Sequence, residues 1–194
     1  MKGYIYTMFA GADPGRGWNM TDPIFSKIPT IGACMPNIRR LVVPGDYVFV
    51  ISGKTPGVRQ YVVGGLKVAE KINALAAFDR FPEYRLKTVG KGLVAGNIIV
   101  DADGKHNKLD YHGNFEKRIE NYIVGRDPVV LESQGEIDLG REQTVPILKQ
   151  IFEKQGRLVA DIVGRWRRLD EIQIEEMLQW LTSLKKMPPK AVRK

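Results

Sequence analysis

The chain has 194 residues, 43% of them hydrophobic, with one cysteine, Cys34. That is long and apolar enough for one substantial core, which excludes wholesale disorder, and a single cysteine excludes an internal disulfide. The 30 Lys and Arg outnumber the 22 Asp and Glu to leave a net charge of +8. Such a balance suits polyanionic partners, nucleic acid or nucleotides, as well as plain solubility.

The first strand is expected over Tyr4 to Phe9. Gly11 to Pro29 carries Gly, Pro, Asp and Asn at short intervals and reads as an irregular loop, long enough to expect a functional role. A short polar element with Asn37, Arg39 and Arg40 runs into Pro44-Gly45-Asp46. Two apolar, β-branched strands follow, Tyr47 to Ile51 and Gln60 to Val68, joined by the loop from Ser52 to Gly57. Further on, a helical turn is expected over Asn73 to Phe78, with strands over Tyr84 to Val89 and Leu93 to Val100. Asp101 to Gly104 (DADG) is a hairpin turn signal, and Asn121 to Glu132 is a strand broken at Asp127-Pro128.

Beyond Gly140 the period changes. Val145, Leu148, Ile151 and Phe152 recur at helical spacing up to Gly156. Asp170 is placed to cap a last helix whose Ile174, Met177, Leu178, Leu181 and Leu184 share a face. The pattern predicts an α+β protein: a core over residues 1–140, a helical extension over 141–186 and a flexible basic tail over 187–194. No run of about 18 uncharged apolar residues is present, so no membrane span is expected. The opening MKGYIYTMFAGADPG does not read as a signal peptide, and a cytoplasmic setting is expected.

Several residues are candidates for binding an anion or a base. Asn37, Arg39 and Arg40 put three donors on one short element, although a solvated helix face explains them as well. Asp46 belongs to the same polar set, and its plainer reading is a turn residue. Ser52 and Gln60 could face a bound base or simply close their loop, and Trp18 and Tyr61 could stack on one or belong to the core. Arg165, Arg167 and Arg168 surround Trp166 in a basic, aromatic cluster able to meet phosphates, or to sit on the surface with the indole turned in.

His106 and His112, with Asp101, Asp103, Asp110 and Tyr111 nearby, invite a metal or general-base reading. Their H-x5-H spacing matches no zinc signature, so a solvated turn is the simpler expectation and no metal is expected. Cys34 has no base near it in sequence and is expected as a small buried residue. The phosphate-loop, dinucleotide, H-E-x-x-H and G-x-S-x-G motifs are absent, so no cofactor is expected.

Taken as an ensemble, these residues resemble a bacterial family, the nucleotide-modification-associated domain of the second type. The resemblance is carried by the aromatic strand Tyr4 to Phe9, Asp13-Pro14, Cys34-Met35-Pro36-Asn37-Ile38-Arg39-Arg40 and Gly45-Asp46. Gly96-Asn97, His106 or His112, and the strand end Val130, Leu131 and Ser133 add to it. The order of elements, including Gln60 to Gly64, is also similar to that of PUA-like domains of the EVE and ASCH kind. The resemblance implies a small PUA-like β-barrel or strongly bent mixed sheet with C-terminal helices packed on it. It further implies recognition of a nucleotide or modified base in nucleic acid, in a setting of nucleic-acid modification or phage defence. The alternatives are an enzyme acting on a nucleotide or base, and an interaction module that forms a homodimer through its helical tail.

Overall fold

The structure, a computed structural model, describes residues 1–90 and 92–186. The tail expected over 187–194 lies outside the described residues. The protein is α+β. Six strands form one mixed sheet in the order β2-β7-β4-β3-β1-β8, and β5 pairs with β6 apart from it. The strands are β1 (Gly3–Thr7), β2 (Thr30–Ile31), β3 (Tyr47–Ile51), β4 (Val62–Ile72), β5 (Lys87–Val89), β6 (Leu93–Ala95), β7 (Tyr122–Val130) and β8 (Trp166–Leu169). The helices are α1 (Pro36–Leu41), α2 (Ala74–Arg80), α3 (Phe115–Ile119), α4 (Gln134–Ile151), α5 (Val159–Ile162) and α6 (Glu171–Lys186). Strands β2 and β8 are the two edges of the large sheet and do not pair with each other, so no closed barrel forms among the described residues.

The chain gathers into two compact units that are discontinuous in sequence. Of the described residues, the first contains 1–19, 46–66 and 129–186; the second contains 20–45, 67–90 and 92–128. The sequence-based division at residue 140 therefore differs from the spatial one: the C-terminal helices share a unit with β1 and β3.

In the first unit β1 runs parallel to β3, with Gly3 opposite Tyr47 and Thr7 opposite Ile51, and antiparallel to β8. All of Gly3 to Tyr6 is buried, as expected of a strand with neighbours on both sides and helices over it. Gly3 is needed for that cover: a Cβ there would lie 2.7 Å from Cγ1 of Ile174 on α6. Ser133 and Glu136 start α4 with reciprocal side-chain-to-backbone bonds, seven residues before the helical period became legible. Asp170 and Gln173 start α6 the same way. Ile174, Met177, Trp180, Leu181 and Leu184 form its buried face, and Trp180 Nε1 donates to Gln143 Oε1 of α4 at 3.0 Å.

In the second unit Asn73 caps α2 by accepting from the Ala76 N–H. Ala74, Ala77, Phe81, Ile98, Val100, Tyr122 and Val124 form its core, with Phe78, Tyr84, Phe115 and Ile119 packed around them. Burying the larger aliphatic and Phe side chains of this set stabilises by roughly 1.5–3 kcal/mol each. β7 continues through Asp127, which takes a positive φ of 50°, so the expected break is a local distortion rather than an end. The DADG turn closes a small hairpin, with Asp101 accepting from the Asp103 and Lys105 N–H groups.

Candidate functional site

The second unit holds a cavity of about 310 Å³. Leu86, Val94, Ile99 and Leu109 supply aliphatic wall, and Thr21, Asp22, Asn97, Asp110, Tyr111 and His112 supply polar groups. The long loop ahead of β2 brings Thr21 and Asp22, the segment after β6 brings Asn97, and the turn before α3 brings Asp110 to His112.

Asp22 is the centre of a buried network. Its Oδ1 accepts from the Gly32 N–H at 2.8 Å and from Asn97 Nδ2 at 3.1 Å; its Oδ2 accepts from Ala33 N–H at 2.9 Å and from Cys34 N–H. Asn97 also donates to Thr30 Oγ1 at 3.0 Å and accepts from the Tyr122 hydroxyl at 2.8 Å. Gly32 has no room for a side chain, because a Cβ would stand 2.0 Å from the Asn97 carbonyl oxygen. Burial, with Asp22 nearby, pushes the Tyr122 hydroxyl and the Cys34 thiol well above their ordinary pKa values. Cys34 is half-buried, and the upward push on its thiol is the opposite of what a nucleophilic cysteine needs.

Asp110 is arranged differently. Its side chain is only 4% exposed, yet its two oxygens meet two histidines: Oδ2 lies 2.7 Å from His106 Nε2 and Oδ1 lies 2.6 Å from His112 Nδ1. His106 stacks on Phe115 with ring centres 4.5 Å apart. Burial would raise the Asp110 pKa; the hydrogen bonds from His112 and His106 and their charge outweigh it, and the net shift is downward. The two histidines are exposed, as a turn-lining pair should be, but they are joined through one carboxylate rather than independently solvated. Among the described residues no group of three or more His, Cys, Asp and Glu could hold a metal ion.

The other sequence candidates fall elsewhere, and several need correction. Arg39 is fully buried and donates to the Cys34, Ala33, Arg118 and Asn121 carbonyls, so its guanidinium ties the second unit together and is not offered to an outside anion. Asn37 and Arg40 are exposed on α1, so the three donors do not share a face. Asp46 is buried, its carboxylate accepting from the Lys2 N–H at 2.8 Å. Ser52 is buried and accepts from the Tyr61 N–H at 3.0 Å, while Gln60 donates to the Ser52 carbonyl at 2.8 Å; both close their loop.

Tyr61 is buried against α4 with the Arg141 guanidinium 4.8 Å from its ring centre, so it has no face for a base. Burial, then the Asp13 charge, raises its hydroxyl to about 12. Trp18 is half-buried, edge-on to the exposed Phe9 ring at 5.5 Å. Arg165 and Arg168 are exposed, whereas Arg167 packs over Phe152 at 4.6 Å and donates to the Ile162 carbonyl. Trp166 is partly exposed beside Tyr4 rather than turned inward. Of the residues the sequence singles out for binding a nucleotide or base, His112 lines the cavity. Thr21, Asp22, Asn97, Asp110 and Tyr111 complete its polar wall. Gly96-Asn97 and His112 were visible in the sequence only as separate landmarks.

No helix among the described residues is long and apolar enough to cross a membrane. The chain matches no protein-family profile, no curated protein and no solved structure.

Proposed function

We propose that the protein binds a nucleotide, or a modified base within nucleic acid, in the cavity of its second unit. The observation that carries this reading is the cavity itself: aliphatic side chains on one part of the wall and Thr21, Tyr111, His112 and Asp110 on another. A flat heteroaromatic ring needs that combination, apolar contact for its faces and a few fixed polar groups for its edge. At about 310 Å³ the space sits at the lower end of the range for small-molecule sites, ~300–1,000 Å³. The net charge of +8 adds attraction for phosphate without sequence preference. The resemblance to nucleotide-modification-associated and PUA-like domains supports the same reading, and with it a setting in nucleic-acid modification or phage defence.

A second reading, an enzyme acting on a nucleotide or base, is favoured by one observation. The His112–Asp110 pair has the geometry by which a carboxylate orients a histidine for proton transfer. Binding leads because the pair has no cysteine nucleophile beside it among the described residues: burial and the Asp22 charge push the Cys34 thiol up rather than down.

The test is to fill the cavity. Val94 is a half-buried wall residue, and Val94→Trp should abolish binding of nucleoside monophosphates and modified oligonucleotides, followed by calorimetry, while the circular dichroism spectrum stays native. Nucleotide binding that survives Val94→Trp in a folded protein would remove the cavity from the function.

A further inference from the structure

The polar groups on the cavity wall are not equally available. Asp22 has four donors on its two oxygens, which fills the capacity of a carboxylate. Asn97 gives its amide hydrogens to Asp22 and Thr30 and accepts from Tyr122. Both therefore shape the wall and leave little for a ligand. Thr21, Tyr111 and His112 remain, and Tyr111 is 90% exposed.

An ionised carboxylate can only accept. With Asp110 ionised, His112 must donate from Nδ1, and its other nitrogen, Nε2, carries a lone pair whenever the ring is neutral. The Asp110 carboxylate is itself held, since its second oxygen accepts from His106 and that ring is stacked on Phe115. The tautomer of the neutral His112 ring is thus fixed by its surroundings, and in that form the ring nitrogen left for a ligand is an acceptor. Thr21 and Tyr111 bear hydroxyls, which can donate. The available set is one acceptor of fixed sense and two hydroxyls that can donate or accept, so the ring nitrogen decides which base edge fits.

Pyrimidines differ in what they present to such a set. The 2,4-dioxo ring of uracil and thymine carries a ring N–H between two carbonyl oxygens. Cytosine carries a bare ring nitrogen at that position, which would face the His112 lone pair and be repelled. We infer that the cavity selects a 2,4-dioxopyrimidine, with His112 Nε2 accepting the imide N–H and the Thr21 and Tyr111 hydroxyls donating to the carbonyls. Asp110 and His106 act as positioning residues that hold the His112 tautomer. Substituents elsewhere on the ring meet the aliphatic wall of Leu86, Val94, Ile99 and Leu109. The assignment rests on the nucleotide-binding reading and names its ligand class.

Calorimetric titration of the full chain with thymidine monophosphate, its N3-methyl derivative and deoxycytidine monophosphate tests it. Thymidine monophosphate should bind best, and N3-methylation or replacement by deoxycytidine should weaken binding by about tenfold or more. His112→Ala, a change at a side chain 43% exposed, should leave the protein folded and erase the difference among the three ligands. Asp110→Asn should shrink the difference, and it should alter the nitrogen NMR signals that report the His112 tautomer. Equal binding of the three ligands, or discrimination that persists in His112→Ala, overturns the dioxopyrimidine assignment and leaves the nucleotide reading intact. Binding of none of the three, together with none of the purine monophosphates, overturns both.

Discussion

Two carboxylates face the same cavity, and their surroundings have opposite consequences. Asp22 is surrounded by backbone N–H groups from Gly32 to Cys34 and by the Asn97 amide, donors that keep one protonation state and are fixed by the fold. Asp110 is bracketed by two imidazoles, donors that can change charge and are themselves exposed. A carboxylate of the first kind stabilises a loop and has no capacity left. One of the second kind orders side chains that keep a free nitrogen. The contrast separates the part of the cavity that holds the fold from the part that meets a ligand.

The largest effect is expected from breaking the first kind. Asp22→Ala leaves three backbone donors, two of them buried, and one buried amide without their acceptor, which should cost about 4 kcal/mol of folding stability. Urea unfolding measures it directly. A variant as stable as the native chain would mean that the Asp22 network is not what holds the segment ahead of α1.

Arg39 and Arg40 sharpen the same distinction one step down. Removing the buried Arg39 guanidinium strips the Cys34, Ala33, Arg118 and Asn121 carbonyls of a charged donor, so Arg39→Ala should cost about 3 kcal/mol. Arg40→Ala, at an exposed position, should change stability by less than about 0.5 kcal/mol. Any effect of Arg40→Ala should appear instead in the salt dependence of oligonucleotide binding. If the two variants unfold at the same urea concentration, the assignment of Arg39 to the interior fails.

The sequence separated these cases poorly, for physical reasons that the residues make plain. Strand content was readable, because Tyr47 to Ile51 and Gln60 to Val68 announce themselves by β-branched and apolar runs bounded by turn residues. The start of α6 was readable too, since Asp170 stands where a cap is needed. The start of α4 is not legible from the apolar period, although Ser133 and Glu136 carry the spacing of a reciprocal cap, because Gly140 and Pro146 interrupt that period. Arg39 and Arg40 are adjacent and chemically identical, and only the rotation of a six-residue helix sends one inward. Asp22 could not be recognised, because its partners lie ten to twelve residues away along an irregular loop and at Asn97. Closure of the sheet was also beyond the sequence, which shows strands but not which edges meet.

The smallest effect, and the most direct mark of Asp110's surroundings, is a dependence on pH. Its carboxyl is held below the ordinary carboxylate range: burial opposes this, and the hydrogen bonds and charges of His112 and His106 prevail. In the window between the lowered folded value and the unfolded value of about 4, the unfolded chain binds more protons than the folded one, so stability rises with pH there. The contribution of Asp110 is therefore complete above about pH 4 and is lost as the pH falls through the folded value. Other lowered carboxylates, Glu136 among them, titrate in the same region, so the comparison must be between the native chain and Asp110→Asn rather than along one curve. Urea unfolding of both proteins from neutral pH downward should show a stability gap that closes only in acid. A gap that stays constant into strong acid, or that widens there, would mean that the two histidines do not hold the carboxylate in solution, and the orientation of His112 would lose its cause.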